Sequence, residues 1–163
     1  HPPEESSSLN CIEVASPLIH LKAAPDLFLN NTQVLAMDFK RLTEGRKTAP
    51  ISSSNQLIAP ENIFLEQGAK VECAILNASN GPIYIGKNAE VMEGSLFRGG
   101  IAICENATVK MGAKIYSGTT VGPFSKVGGE LNNVLILGHS NKGHDGFLGN
   151  AVIGEWCNIG AAT

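Results

Sequence analysis

Between Ile85 and Val127 a large apolar residue returns every six positions: Ile85, Val91, Phe97, Ile103, Val109, Ile115, Val121 and Val127. In a chain that is 43% hydrophobic, eight such stations in a row arise by chance about once in a thousand fixed registers. Two residues before each station from Val91 onward stand Ala89, Ser95, Ile101, Ala107, Ala113, Thr119 and Ser125, and six of these seven are small. The same grammar is read at Leu65 and Val71, and again at Phe147, Ile153 and Ile159. A helix needs 3.6-residue spacing and a plain strand needs alternation, so a period of six fits neither alone. It fits a short strand plus a turn, three times per coil of a triangular prism, with the large aliphatic inside and the small residue near the tight edge. Coils then stack at about the 4.8 Å spacing of adjacent strands. The chain is therefore read as mainly β, a parallel β-helix of about five coils over residues 63–163.

The register slips twice. From Asn77 to Ile85 the step is eight, with "NGP" between; from Val127 the next clean station is Leu135, again eight, and Phe147 continues the shifted register. Both slips are read as loops pushed out of a prism edge. The second comes just before "NKGHDGFLGN", which gathers Lys142, His144 and Asp145 among glycines.

Ahead of the repeats, residues 1–30 read as a flexible or partial segment opening on "HPPEESSS". Leu35, Phe39 and Leu42 predict an amphipathic helix over about 32–44, capped by Asn31 or Thr32 and ended by Gly45, within a segment 31–47. The "GRK" after it either complements the helix dipole or grips a phosphate. Residues 48–62 read as a linker. The repeat stops at "NIGAAT" without a polar cap, and the chain is read as an excerpt of a longer protein.

Charge narrows the function classes. A net charge of −3 with no basic run argues against nucleic acid, and no apolar stretch reaches the roughly 20 residues of a membrane span. The four cysteines (Cys11, Cys73, Cys104, Cys157) lack paired spacing and are expected as buried thiols in a reducing cytoplasm. The glycine spacings are repeat edges and no P-loop, since no Gly-Lys-Ser/Thr follows. A glycine-rich nucleotidyltransferase loop with its basic residues is likewise missing from the chain.

The run "HDGFLGNAVIGEWCNIGAAT", His144 to Thr163, resembles without a gap the acetyltransferase segment of the bifunctional N-acetylglucosamine-1-phosphate uridylyltransferases. Through "DFKRLTEGRK", "AKVECAILNASNGPIYIGK" and "VGGELNN…GHSNKGHDGFLGN", Pro25 to Thr163 looks like the tail of sugar-nucleotidyltransferase-like proteins carrying this domain. The resemblance implies a left-handed coil, an exception to the right-handed crossover rule. It implies acetyl transfer from acetyl-CoA to an amino sugar phosphate, with His144 as general base, its pKa range suiting that role. Phe147 stands where that family has a tyrosine on the sugar phosphate, Asn158 matches its sugar-side asparagine, and Ala161 matches the alanine whose backbone meets acetyl-CoA. For the family's phosphate-gripping cations the chain offers Lys126 and Lys142, and Asp145 replaces an apolar neighbour of the base, placed to raise its pKa or orient its ring. The same likeness implies a cytoplasmic homotrimer with sites between subunits. Two alternatives stay open: "NKGHDG" is only a turn, and the domain is a non-catalytic trimerising element on an upstream nucleotidyltransferase.

A metal reading is weaker. His139 and His144 are five apart, as are two zinc ligands of hexapeptide-repeat carbonic anhydrases, but no third histidine lies near Ile103, so no metal is expected.

Overall fold

Three short strands joined by turns close each of the first four coils, as the six-residue period demands. The computed structural model, which describes residues 18–161, is a parallel β-solenoid of about five turns with one helix, α1 (Pro25–Thr43), laid on its side. The first coil carries β1 (Gln56–Ile58), β2 (Ile63–Leu65) and β3 (Lys70–Val71). The second carries β4 (Ile75–Asn77), β5 (Ile83–Ile85) and β6 (Glu90–Val91). The third has β7 (Leu96–Arg98), β8 (Ile101–Ile103) and β9 (Thr108–Val109), and the fourth β10 (Lys114–Tyr116), β11 (Thr119–Val121) and β12 (Lys126–Val127). Thereafter β13 (Glu130–Ile136) runs unbroken from the first face to the second, β14 (Asn141–Lys142) forms the third, and β15 (Phe147–Ile153) repeats the long crossing.

All eight stations from Ile85 to Val127 lie buried inside, as do Leu65 and Val71, and so do the small residues Ala89, Ser95, Ala107, Ala113, Thr119 and Ser125. Small side chains are needed there because the backbone turns sharply. Each edge carries a column of left-handed residues; one column runs Asn88, Asn106, Phe124, His139 and Trp156, at φ 48–60°. Asparagine visits that region readily, whereas an aromatic residue is strained in it.

The first slip is an insertion: residues 78–82 lie opposite only 99–100, between the pairs Asn77–Arg98 and Ile83–Ile101. The second is the opposite of the expectation. Thr119 pairs with Ile101, 18 residues away, but Thr120 pairs with Leu135, only 15 away, so the fifth coil is three residues short. No loop is pushed out; Gly128 and Gly129 alone turn the edge, and β13 cuts across the next one. In consequence Leu131, Val134 and Ile136 point inward, Leu135 lies against the helix side, and Phe147 is exposed while Leu148 packs on the core.

The helix starts earlier than expected, with Pro25 in its first turn and Asp26 accepting from the N–H groups of Lys22 (2.7 Å) and Ala23 (2.9 Å). Asn31, expected as its cap, is instead buried mid-helix, where its Nδ2 donates to Gly118 O (2.7 Å) and Thr120 Oγ1 (3.0 Å). It pins the helix to the second face, and α1 covers β8, β11, β13 and β15. After Thr43, Arg46 donates to Leu42 O at 2.8 Å and pairs with Glu66 at 2.6 Å, so this cation serves the helix end and the first coil. The first coil already begins at Gln56, inside the stretch read as linker. Cys73 and Cys157 are exposed, contrary to expectation: Cys73 takes a left-handed outward edge position, whereas Cys157 repeats the inward register of Ser125 and Ser140 in the last described coil, where no described coil covers it; Cys104 is more enclosed and burial pushes its thiol up to about 11. Cys11 lies outside the described residues.

Candidate functional site

The edge between the third and first faces is turned in the fifth coil by Gly143, His144, Asp145 and Gly146. This four-residue turn sits directly against the two-residue turn Gly128–Gly129. The approach is backbone on backbone: a Cβ on Gly128 would lie 2.8 Å from Gly143 O, and one on Gly129 2.6 Å from Gly146 O. Only glycine fits either position, which explains "VGGE". His144 is exposed at the apex of the turn.

Lys142 does not face solvent. It takes the interior station that Val71, Val91, Val109 and Val127 fill in the coils below, and it is 7% exposed. Its Nζ donates to Gly128 O (3.0 Å), His144 O (2.8 Å) and Gly146 O (2.9 Å). An ammonium has three N–H groups, so none is left for a phosphate, and the sequence expectation for Lys142 gives way to an inward structural contact. Burial lowers its pKa and the nearby Asp145 partly offsets this.

The other expected residues spread around the same edge. Phe147 opens β15 on the first face, 66% exposed, its ring lying across Gly149. Asn158 stands on the outer side of the third face, where its Oδ1 accepts from Asn141 Nδ2 at 2.8 Å. Lys126, exposed, pairs in register with Asn141 on that face, so Lys126, Asn141 and Asn158 form one outward row. Ala161 lies in the exposed turn that follows. Asn141 and Lys110 were not singled out by the sequence. The exposed Lys110 lies alongside Gly143, its Nζ 3.5 Å from where a Cβ on that glycine would be. Lys110 is two coils distant in sequence but stands in one column with Gly128 and Gly143, and the absence of a side chain at Gly128 leaves its path open.

His139 belongs to the opposite edge of the third face. Its ring is stacked between Phe124 (5.0 Å, 5°) and Trp156 (4.4 Å, 9°), so it and His144 do not converge. No group of three His, Cys, Asp or Glu side chains suited to a metal occurs among the described residues.

A convex edge has no walls of its own. The larger cavity, about 460 Å³, lies between α1 and the second face, lined by residues such as Leu35, Phe39, Tyr84 and Cys104, and a smaller one lies on the first face by Leu96 and Tyr116. Neither includes His144, Asn158 or Lys126. No helix among the described residues is long and apolar enough to cross a membrane.

No family model matches the chain. It is 28% identical over 159 residues to the bifunctional protein GlmU of Gluconobacter oxydans, covering 91% of this chain and 35% of that protein. It is 27% identical over 157 residues to the GlmU of Rippkaea orientalis (83% and 34%), and 44% identical over 63 residues to that of Corynebacterium glutamicum (37% and 13%). The chain thus spans about a third of the first two relatives. It resembles GlmU proteins, and its hexapeptide-type solenoid agrees with that resemblance.

Proposed function

We propose that this domain transfers an acetyl group from acetyl-CoA to the amine of an amino sugar phosphate, in a cytoplasmic homotrimer. The observation that carries the reading is the edge itself: His144 at the apex, Asn158 on one flank and Phe147 on the other, in a chain similar to GlmU over most of its length. His144 would take the proton from the attacking amine as the new C–N bond forms at the thioester carbonyl. Collapse of the tetrahedral intermediate then expels CoA as its thiolate. The N–H groups of residues 143–146 donate to no described residue, which supports a role for some of them toward the developing oxyanion. Asn158 and its partner Asn141 would contact the sugar, and Phe147 would stack on it without a hydroxyl to donate. Lys126 and Lys110 are the cations offered to the phosphate, and the backbone at Ala161 would meet acetyl-CoA.

The convexity supports self-association, because a site on an edge gains walls when a second copy of the chain packs beside it; the count of three is taken from the likeness to GlmU. In the full-length protein, acetyl-CoA-dependent turnover over a panel of amino sugar phosphates is expected. His144→Ala should lower it about 10²–10⁴-fold, the usual contribution of a general base. Absence of turnover in the wild type would overturn the reading.

The commitment of Lys142 to carbonyls and the missing tyrosine hydroxyl favour one rival, a non-catalytic trimerising domain on an upstream sugar-1-phosphate nucleotidyltransferase. Under that rival His144→Ala is silent, and deletion of residues 65–163 changes the mass in solution while nucleotide-sugar synthesis persists.

A further inference from the structure

We propose that Lys142 is a positioning residue for the His144 turn, replacing a turn-on-turn contact that the shortened fifth coil removes. The inference rests on His144 being the base. In the lower coils, turns on this edge hold one another through the backbone: Gly94 N donates to Cys73 O and Gly112 N to Glu93 O, both at 3.0 Å. At the fifth coil the supporting turn has only Gly128 and Gly129, and none of residues 143–146 donates a backbone hydrogen bond to another described residue.

What ties the turn down is the acceptor side. Glu130 N donates to Gly146 O at 3.0 Å, and the Lys142 ammonium binds the carbonyls of both His144 and Gly146. Its third bond, to Gly128 O, joins the upper turn to the lower one. A charge at an interior station is costly unless each donor is satisfied, and a valine would serve packing equally well. The lysine therefore belongs to the turn and not to the core. By holding the His144 carbonyl it fixes the backbone from which the imidazole projects, and misplacing a catalytic group by about 1 Å can cost on the order of a hundredfold in rate.

The test uses the full-length protein with Lys142→Met, which keeps the stem and removes the ammonium, and Lys142→Gln, which keeps two N–H donors. Steady-state kinetics with acetyl-CoA and the amino sugar phosphate are paired with ¹⁵N heteronuclear NOEs of the amides of residues 143–146. For Lys142→Met we expect kcat to fall at least tenfold with the acetyl-CoA KM within twofold, and the NOEs of 144–146 to drop while that of Val127 holds. Lys142→Gln should fall between it and the wild type, and it carries the test alone if the methionine variant does not fold. Unchanged NOEs in the folded variant, or kcat retained in an active enzyme, would overturn the proposal. If the wild type transfers no acetyl group, the acetyltransfer reading fails, while the NOEs still decide whether Lys142 holds the turn.

Discussion

The third and fourth coils and the last two use the same architecture and solve it differently. From Ile83 to Val127 successive rungs are 18 residues apart on the second and third faces, the interior is aliphatic and alanine-rich, and each turn rests on its neighbour. Beyond Val127 the rungs are 15 and then 17 apart on the third face, and a lysine enters the interior. The regular part needs only the repeat. The irregular part departs from it around the turn that carries His144.

The largest test of this contrast lies in the core. Ile103 is fully buried at a regular station, whereas Ile153 is only partly buried against the same core. Ile103→Ala should destabilise by about 2–5 kcal/mol, through lost transfer energy and the cavity left in a stack that cannot collapse. Ile153→Ala should cost distinctly less, about 1–2 kcal/mol, since part of its surface already meets water. Equal costs in urea denaturation would show that the last coils are as tightly built as the middle ones.

A matched pair of glycines on one edge gives the next effect. Gly112 and Gly129 have φ of +70° and +75°, so alanine carries the same left-handed strain at both, about 1–2 kcal/mol. A Cβ at Gly112 meets nothing within 4 Å, while at Gly129 it meets Gly146 O at 2.6 Å and Asp145 Cα at 3.1 Å. Gly129→Ala should therefore exceed Gly112→Ala by about 1 kcal/mol or more, and only Gly129→Ala should alter turnover, because the backbone that must yield carries His144. Indistinguishable thermal midpoints and rates for the two variants would break the link between the short coil and the His144 turn.

The same contrast explains what was legible in the sequence. The stations from Ile85 to Val127 could be read because one apolar residue in six has no competitor in a regular coil. The turn that carries His144 was also visible, as charged residues gathered among glycines. "LNNVLIL" offered several apolar candidates after Val127, and an eight-residue step to Leu135 looked like an insertion when the chain was passing Leu131 and Ile136 at steps of four and five. Phe147 followed from that misplaced register. In the sequence Lys142 reads as a ligand because a charged residue does not announce itself as an interior station; its pairing to Val127 and its three carbonyl contacts are visible only in the fold. Asn31, like Thr32, reads as a cap because its actual partners, Gly118 and Thr120, lie nearly 90 residues away.

The smallest effect comes from the end opposite the site and serves as its control. Arg46 holds the Glu66 carboxyl below its ordinary value, and the Tyr84 hydroxyl, donating to Glu66 at 2.8 Å, works in the same direction. A carboxylate whose pKa is depressed by folding contributes stability above its unfolded value, near 4.5, and that contribution fades as pH falls through the folded value. Glu66→Gln should thus lower the thermal midpoint at pH 7 by about 1–3 °C, in keeping with an ion pair of at most about 1 kcal/mol. The difference from wild type should shrink below pH 4 and vanish once both states are protonated. Because this pair ties the helix end to the first coil, turnover attributable to His144 should not change with it. A loss of turnover in Glu66→Gln would mean that strain passes from the first coil to the last, and that the regular middle does not insulate the site.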